Sequence, residues 1–327
     1  MLAMMLDAVR NILREADVPI PDPDGYDIVI RVTACGVCRT DLHILDGDLP
    51  LHKSPLILGH EIVGIVVSTG DMVGDFAVGD RAGVPWLGRT CGRCRFCIED
   101  RENLGDEALF TGYDRDGGFA EYAIADSRYC LPIPAQFDDL HAAPLLCAGL
   151  IGYRAYSMTG NAHRLGLYGF GAAAHIVSQV AAQQGREVFA FTRRDDLEAQ
   201  QFARSLGAVW AGDSSRQAPC KLDAAIIFAS DGALVPAALH AIEKGGSVVC
   251  AGIHMQDIPG FPYSAIWGER HLRSVANLTL ADGRRFFELA SSLDIRTSPV
   301  PFALRDANRA MEALRSGKVV GAAVLIP

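Results

Sequence analysis

The sequence contains no long hydrophobic run and no block of basic residues. No apolar stretch approaches the roughly 18 residues that a membrane-spanning helix needs. The net charge is −9, which argues against nucleic acid or an anionic membrane surface as a partner. Residues 1–7 carry no basic group before their apolar side chains, so they do not resemble a signal peptide. These absences predict a cytoplasmic protein with neither a nucleic-acid nor a membrane partner.

Disulfide bonds are not expected either. The nine cysteines occur without a secretion signal, which indicates a reducing compartment and metal or redox chemistry. The 327 residues correspond to about two domains at roughly 150 residues each. Half of the residues are hydrophobic and 21% are charged, which is ordinary for a globular protein.

The densest group of reactive side chains lies between residues 34 and 61. Cys38 supplies a thiolate and His60 an imidazole, which are ligand types that tetrahedral zinc prefers. A catalytic zinc keeps three protein ligands and an open fourth position, and Cys147 is the best candidate for the third ligand. Any one of these residues alone would be interpreted as structural, because free cysteine is among the most buried residue types. The grouping predicts a catalytic zinc site.

The motif Cys-Arg-Thr-Asp-Leu-His at 38–43, followed by Gly-His-Glu at 59–61, resembles the zinc-dependent alcohol dehydrogenases of the medium-chain dehydrogenase/reductase family. The resemblance implies that Cys38, His60 and Cys147 hold the zinc, a Cys₂His set already known for alcohol dehydrogenase. It also implies that Asp41 orients His60, as carboxylates commonly do for metal-bound imidazoles. For Glu61 two roles stay open: coordination of the metal in some states, or a carboxylate beside the ligands.

The same resemblance implies a proton relay and a substrate pocket. Thr40 would take the alcohol proton and pass it through the cofactor ribose to His43, and histidines ordinarily titrate near neutral pH. The alternative for His43 is a surface histidine. Arg39 resembles a contact to the cofactor pyrophosphate, which suits a guanidinium, unless it is simply solvated. Leu49 and Trp86 resemble substrate-pocket residues, although a buried Trp is commonly part of a core.

A separate small lobe is predicted at residues 91–105. Cys91, Cys94 and Cys97 have C-x-x-C-x-x-C spacing, which indicates metal binding. The family pattern has a fourth cysteine eight residues after the third, where this sequence has Gly105. Structural zinc sites are almost always four-coordinate, so water or a displaced neighbour such as Asp106 would have to complete the tetrahedron. We therefore expect this second zinc site to be empty or partly filled.

A dinucleotide-binding fingerprint begins at residue 165. An apolar strand ends in Gly-x-Gly-x-x-Ala, a helix is predicted over 172–184, and the next strand over 187–191, which is the context that the fingerprint requires. Gly169 allows the tight turn, Gly171 lets the backbone approach the pyrophosphate, and Ala174 permits close helix packing. The alternative is an ordinary strand-to-helix turn. Gly252, after the predicted strand 246–251, is assigned to the same cofactor site.

The end of the second strand of this domain indicates which cofactor is bound. NAD enzymes usually place an acidic residue there, whereas this sequence has Thr192, followed by Arg193. A neutral Thr192 does not repel a 2′-phosphate, and Arg193 can pair with it. The sequence predicts NADP in preference to NAD, unless Arg193 and Arg194 form only a solvated loop.

Further strand–helix alternation predicts a parallel sheet with helices on both faces. Strands are expected over 222–228 and 246–251, and helices over 233–244, 283–293 and 306–316. The predicted fold class is α/β, with a mostly β GroES-like catalytic domain and a doubly wound Rossmann domain. The predicted domains are 1–140 for the first part of the catalytic domain, 141–272 for the Rossmann domain and 273–327 for the return to the catalytic domain.

The function predicted from these residues is that of an alcohol dehydrogenase or aldehyde reductase, transferring a hydride between a small alcohol and NAD(P). A homodimer or homotetramer is expected. Two alternatives stay open: a nucleotide-binding protein of the same zinc fold without dehydrogenase activity, and a zinc-free enzyme related to quinone reductases.

Overall fold

The structure is a computed structural model that describes residues 1–7, 10–319 and 321–327. The chain divides into two compact units, a first unit (residues 1–147, 277–291 and 296–327) and a second unit (148–276 and 292–295). The division predicted from the sequence, at 140/141 and 272/273, stays a prediction. None of the helices in the described part of the chain is long and apolar enough to cross a membrane.

The strands, in chain order, are β1 (Leu2–Asp7), β2 (Arg10–Asp17), β3 (Asp27–Val37), β4 (Leu56–Ile57), β5 (Glu61–Thr69), β6 (Arg81–Val84), β7 (Leu87–Arg89), β8 (Leu109–Phe110), β9 (Tyr122–Asp126), β10 (Leu131–Pro132), β11 (Arg164–Tyr168), β12 (Glu187–Thr192), β13 (Ala208–Asp213), β14 (Leu222–Ile227), β15 (Ile242–Cys250), β16 (His271–Ser274), β17 (Pro299–Ala303) and β18 (Ala322–Ile326). The helices are α1 (Arg39–Asp46), α2 (Arg95–Ile98), α3 (Asp139–Ala142), α4 (Ala148–Ser157), α5 (Ala172–Gln183), α6 (Leu197–Ser205), α7 (Leu234–Ala241), α8 (Leu280–Ala290) and α9 (Ala307–Arg315).

The first unit is built around a mixed sheet in which β3 is a central strand. The order is β10-β6-β5-β3-β18-β17, and β9 also pairs with β3. β-Branched residues favour the strand conformation, and Ile28, Ile30 and Val32 of β3 are buried in the core of this unit. The antiparallel pairing of β3 with β5 aligns Gly36 with Glu61. The end of β3 therefore lies beside the start of β5, which is where the predicted metal ligands occur.

The second unit contains a six-stranded parallel sheet of order β13-β12-β11-β14-β15-β16. Numbered within this unit, that order is 3-2-1-4-5-6, the order of a doubly wound dinucleotide-binding fold. The strand order reverses between β11 and β14, and ligands of such sheets bind beyond the carboxyl ends of the strands at this point. Gly169 follows β11 directly, so the fingerprint lies at this switch point. The predicted α/β class is confirmed.

Two helix predictions differ from the structure. The helix predicted over 233–244 ends at Ala241, because Ile242 pairs with Leu222 of the neighbouring strand and already belongs to β15. The helix predicted over 283–293 begins earlier, at Leu280. Thr279 caps it: its hydroxyl accepts a hydrogen bond from the backbone N–H of Asp282, and the Asp282 carboxylate accepts one from Thr279 N in return.

Candidate metal centre and active site

Four potential ligand residues of the first unit converge in space. The ligand atoms of Cys38, His60, Glu61 and Cys147 all lie within 4.8 Å of one another, and the sulfurs of Cys38 and Cys147 are 3.6 Å apart. Thiolates bound to one tetrahedral zinc at 2.3 Å lie about 3.8 Å apart. The two sulfurs therefore already have the spacing that a shared zinc ion imposes, although they come from positions distant in the sequence.

The imidazole of His60 provides the test of whether a metal fits this site. His60 is fully buried, and neither ring nitrogen has a hydrogen-bond partner within the described part of the chain. Leaving a buried polar atom without a partner is costly. Nδ1 lies 3.4 Å from Asp41 Oδ1, although without hydrogen-bond geometry. Because Nδ1 is next to this carboxylate, Nε2 is the ring nitrogen that a metal would bind. The donor set fits zinc.

Asp41 connects the two segments that carry the ligands. Its carboxylate is fully buried and accepts hydrogen bonds from Cys38 N at 2.7 Å and from Gly59 N at 3.2 Å. The first bond holds the start of α1, and the second holds the residue before His60. Asp41 therefore fixes the backbone on both sides of the site as well as lying beside the imidazole.

Electrostatics also favours a cation at this position. Buried acidic groups placed together cannot all ionise, so some of them retain protons. The hydrogen bond between the two thiols lowers the pKa of Cys38 and raises the pKa of Cys147. Burial, followed by the Cys38 charge, raises the pKa of Glu61. Burial acts to lower the pKa of His60, but Asp41 and Cys38 together raise it well above the ordinary value. A divalent cation would replace these retained protons.

Gly36 is a site residue that the sequence analysis missed. A Cβ atom at this position would lie 1.7 Å from Glu61 Oε2, so the Glu61 carboxylate occupies the space above the glycine. An isolated glycine inside a β-branched strand is the available signal, because it often marks a close approach. Gly36 therefore makes room for the carboxylate next to the ligands.

An aromatic group packs against the metal site. Trp86 meets the His60 ring edge-on at a centroid distance of 4.8 Å, and it stacks on Phe110 at 5.2 Å and on Tyr113 at 5.8 Å. Leu49 is half-buried and packs against the same hydrophobic core as Trp86. Trp86 is thus held in position beside a ligand. Phe110 and Tyr113 carried no sequence signal for this role.

The predicted relay residues lie on α1. Thr40 is buried and its Oγ1 is 3.7 Å from Cys38 Sγ. His43 lies three residues further, on the same helical face, and its Nδ1 is 2.8 Å from Asp48 Oδ2 at a partly exposed position. Arg39 is exposed. The roles of these residues stay predictions.

The three cysteines of the small lobe also meet. Cys91, Cys94 and Cys97 have their sulfurs within 4.8 Å of one another. A second potential metal centre is therefore present in the first unit, distinct from the Cys38 group.

In the second unit the nucleotide fingerprint has the expected backbone. Gly169 has a φ of 86°, which favours glycine, and a Cβ there would lie 2.9 Å from Ala229. Gly171 directly precedes α5, and apart from its two chain neighbours no described residue has an atom within 4 Å of where its Cβ would be. Ala174 is fully buried in the helix. The open space at Gly171 is where a pyrophosphate would approach the helix N-terminus.

The two predicted selectivity residues differ in their surroundings. Thr192 is buried, and its hydroxyl donates to Arg193 O at 3.0 Å and accepts from Gln200 Nε2 at 3.2 Å. Arg193 is 89% exposed and lies 3.6 Å from Asp196. The Thr192 hydroxyl is thus hydrogen-bonded within the protein, whereas the guanidinium groups of Arg193 and Arg194 are exposed. Gly252 is half-buried just after β15. The cofactor roles of these residues also stay predictions.

Comparison with known proteins identifies the family. Residues 24–135 match the alcohol dehydrogenase GroES-like domain. A Mycobacterium tuberculosis (strain CDC 1551 / Oshkosh) protein named "Probable alcohol dehydrogenase AdhA" is 44% identical over 96% of this chain and 92% of its own. An alcohol dehydrogenase of Geobacillus stearothermophilus is 32% identical over 99% and 98%. The crystal structure of the alcohol dehydrogenase from Aeropyrum pernix superposes with a TM-score of 0.89 at 26% identity, covering 100% of both chains.

The chain belongs to the zinc-dependent alcohol dehydrogenase family. The resemblance found in the sequence, the GroES-like and Rossmann domains and the activity of an NAD(P)-dependent alcohol dehydrogenase are confirmed. The relatives do not support the alternatives of a protein without dehydrogenase activity or a quinone reductase.

Proposed function

We propose that Cys38, His60 and Cys147 hold a catalytic zinc ion at which a small alcohol is oxidised or an aldehyde reduced. The observation that supports this most directly is the buried imidazole of His60, which has no hydrogen-bond partner among the described residues and lies beside two thiols at ligand spacing. When bound, zinc would polarise the substrate oxygen as a Lewis acid, and the nicotinamide would accept or supply the hydride. Glu61 lies within reach of the same position.

The other residues of the first unit position the substrate and move its proton. Thr40 lies next to Cys38, so we assign its hydroxyl to the exchange of a proton with the substrate oxygen. His43, on the same face of α1 and held by Asp48, is assigned to the end of the relay. Trp86 and Leu49 are proposed to line the pocket. The half-buried Leu49 takes less space than an aromatic side chain would, so we propose that the pocket also accepts bulkier alcohols.

Removal of a ligand tests the metal assignment. Cys38→Ser and His60→Ala should lose turnover and about one zinc per chain, measured by metal analysis, because one of three ligands is gone. Cofactor binding, measured by fluorescence titration, should persist, since the Gly169 and Gly171 loop belongs to the second unit. Cys220→Ser, a half-buried cysteine outside both thiol clusters, is the matched control and should retain zinc. Unchanged zinc content in Cys38→Ser, or an equal loss of cofactor affinity and activity in a folded variant, would contradict the assignment.

For the cofactor we propose NADP in preference to NAD. The support is Arg193, which is exposed directly after β12 and able to pair with a 2′-phosphate. Arg193→Ala should lower kcat/KM for NADPH and leave that for NADH little changed. Arg194→Ala, also exposed, is the matched control. A clear preference for NADH that Arg193→Ala does not alter would refute the proposal.

We also propose that the protein assembles as a homodimer or homotetramer and acts in the cytoplasm. β16 is the outer strand of the parallel sheet and its residues are exposed. Tyr263 and Trp267, just before it, are 68% and 65% exposed. Exposed sheet edges and apolar patches are commonly covered by a partner. Light scattering after size-exclusion chromatography would test this, and a monomer at micromolar concentration would contradict it.

A further inference from the structure

The cysteine lobe of the first unit has the dimensions of a metal site. The sulfurs of Cys94 and Cys97 lie 3.5 Å apart, and those of Cys91 and Cys97 lie 3.9 Å apart. Thiolates on one tetrahedral zinc at 2.3 Å are separated by about 3.8 Å. All three sulfurs lie within 4.8 Å of one another, so one zinc ion can contact them with at most a small adjustment of the lobe.

Local structure holds these sulfurs in place. Gly92 has a φ of 68°, which turns the chain before Cys94. α2 begins directly after Cys94 and brings Cys97 back to it within one helical turn. Glu102 accepts a hydrogen bond of 2.7 Å from Leu280 N, at the start of α8. The lobe is therefore attached to the rest of the unit by contacts that do not involve the cysteines.

The fourth position of the tetrahedron falls beside Gly105. A Cβ atom at this residue would lie 3.2 Å from Glu102 O, 3.6 Å from Cys94 Sγ and 3.8 Å from Cys97 Sγ, so a side chain here requires a small shift of the turn. The backbone of Gly105, with φ −70° and ψ 135°, is one that any residue adopts. The backbone conformation at residue 105 would therefore accept a cysteine, and the glycine has no side chain to supply a fourth ligand.

The Thr90 hydroxyl accepts a hydrogen bond from Cys97 Sγ at 3.4 Å, and in the described part of the chain no imidazole, thiol or carboxylate takes the fourth position. No further His, Cys, Asp or Glu has a ligand atom within 4.8 Å of all three sulfurs. Asp106, suggested by the sequence as a substitute ligand, would have to move to reach them. The carboxylate of Glu107 lies 3.4 Å from Arg93. Cys91 lines a surface pocket together with Arg89 and Arg128, so solvent reaches the lobe.

We propose that Cys91, Cys94 and Cys97 bind zinc as a three-thiolate site whose fourth ligand is a water molecule beside Gly105. Four-thiolate sites are closed and hold their metal as part of the folded structure. A site with one water ligand exchanges its metal through that position, so the lobe zinc is exchangeable. The geometry of the lobe supports this inference by itself, and only the Cys38→Ser background used in its test rests on the proposed catalytic zinc site.

Zinc release to a colorimetric chelator tests the proposal. It is followed for the unmodified chain, Gly105→Cys and Gly105→Ala, each also in a Cys38→Ser background in which only lobe zinc remains. Lobe zinc should leave the unmodified chain at least about tenfold faster than it leaves Gly105→Cys. Loss of a residue that only hydrogen-bonds to a ligand already lowers metal affinity about 10–100-fold, and a direct ligand should matter at least as much. Gly105→Ala adds the Cβ without the ligand and should behave as the unmodified chain. Gly105→Cys should also raise the melting temperature.

Two outcomes would overturn the proposal. In the first, the unmodified chain releases its lobe zinc as slowly as Gly105→Cys, which would mean a closed site. In the second, the Cys38→Ser chain binds no zinc even with the metal in excess. Cys97→Ser provides a second variant, should Gly105→Cys fold poorly: it should remove the lobe zinc and retain the catalytic zinc. Equal zinc content in Cys97→Ser and the unmodified chain would count against the site.

Discussion

Replacing Asp41 by Asn would test how the metal site is held together. The two oxygens of Asp41 accept hydrogen bonds from Cys38 N and Gly59 N. An amide has one oxygen, so one of these buried N–H groups would face an NH₂ donor. A hydrogen bond to a charged group contributes about 1.5–3 kcal/mol, and its loss displaces either the start of α1 or the residue before His60.

The expected magnitude follows from this single lost bond. Since about 1.4 kcal/mol corresponds to a tenfold change in affinity, Asp41→Asn should weaken zinc binding about 10–100-fold. The same range is typical for carboxylates that orient metal-bound imidazoles. Chelator competition measures the zinc affinity directly. Thermal unfolding with and without added zinc should show that the metal stabilises the variant less.

Asp46→Asn provides the matched control on the same helix. Asp46 is exposed and paired with Arg315, and exposed ion pairs contribute at most about 1 kcal/mol. This variant should keep its zinc affinity. An Asp41→Asn protein that binds zinc within about twofold of the unmodified chain would refute the role derived from its two hydrogen bonds.

Three further changes probe the same unit. Gly36→Ala should lower zinc affinity and thermal stability, because the added methyl group would overlap the Glu61 side chain; combining it with Glu61→Ala removes the carboxylate but keeps the Glu61 Cβ 2.9 Å away, so it should recover part of the thermal stability, and no recovery at all would contradict the packing argument. His43→Gln should slow turnover most at low pH, where bulk base cannot replace the relay, and a rate loss independent of pH would remove the assignment. Leu49→Trp should lower kcat/KM for bulky primary alcohols more than for ethanol, since a larger side chain would narrow the proposed pocket, and an equal effect on both would show that Leu49 does not line the pocket.

The short motifs of the sequence were sufficient to predict the chemistry of both units. Residues 38–43 and 59–61 supply the ligand types for zinc, and 169–174 supply a glycine-rich turn between a strand and a helix. These signals are local, because ligand identity and backbone freedom belong to single residues and their near neighbours. For the same reason the α/β class and the alternation of strands and helices could be predicted without knowledge of how the strands pair.

Tertiary structure alone decided how distant residues meet. It brings Cys147 to 3.6 Å from Cys38, places Glu61 over Gly36, and buries the Thr192 hydroxyl. The position of Glu61 over Gly36 depends on the register of β3 and β5, and that of Cys147 depends on how the segment before α4 packs in the first unit. Register is set by the hydrophobic pattern of both partner strands and by the core that they share, so it cannot be predicted from one segment alone. The sequence therefore determined which groups are available for zinc and nucleotide binding, whereas the pairing of β3 with β5 and the order of the parallel sheet decided where those groups lie.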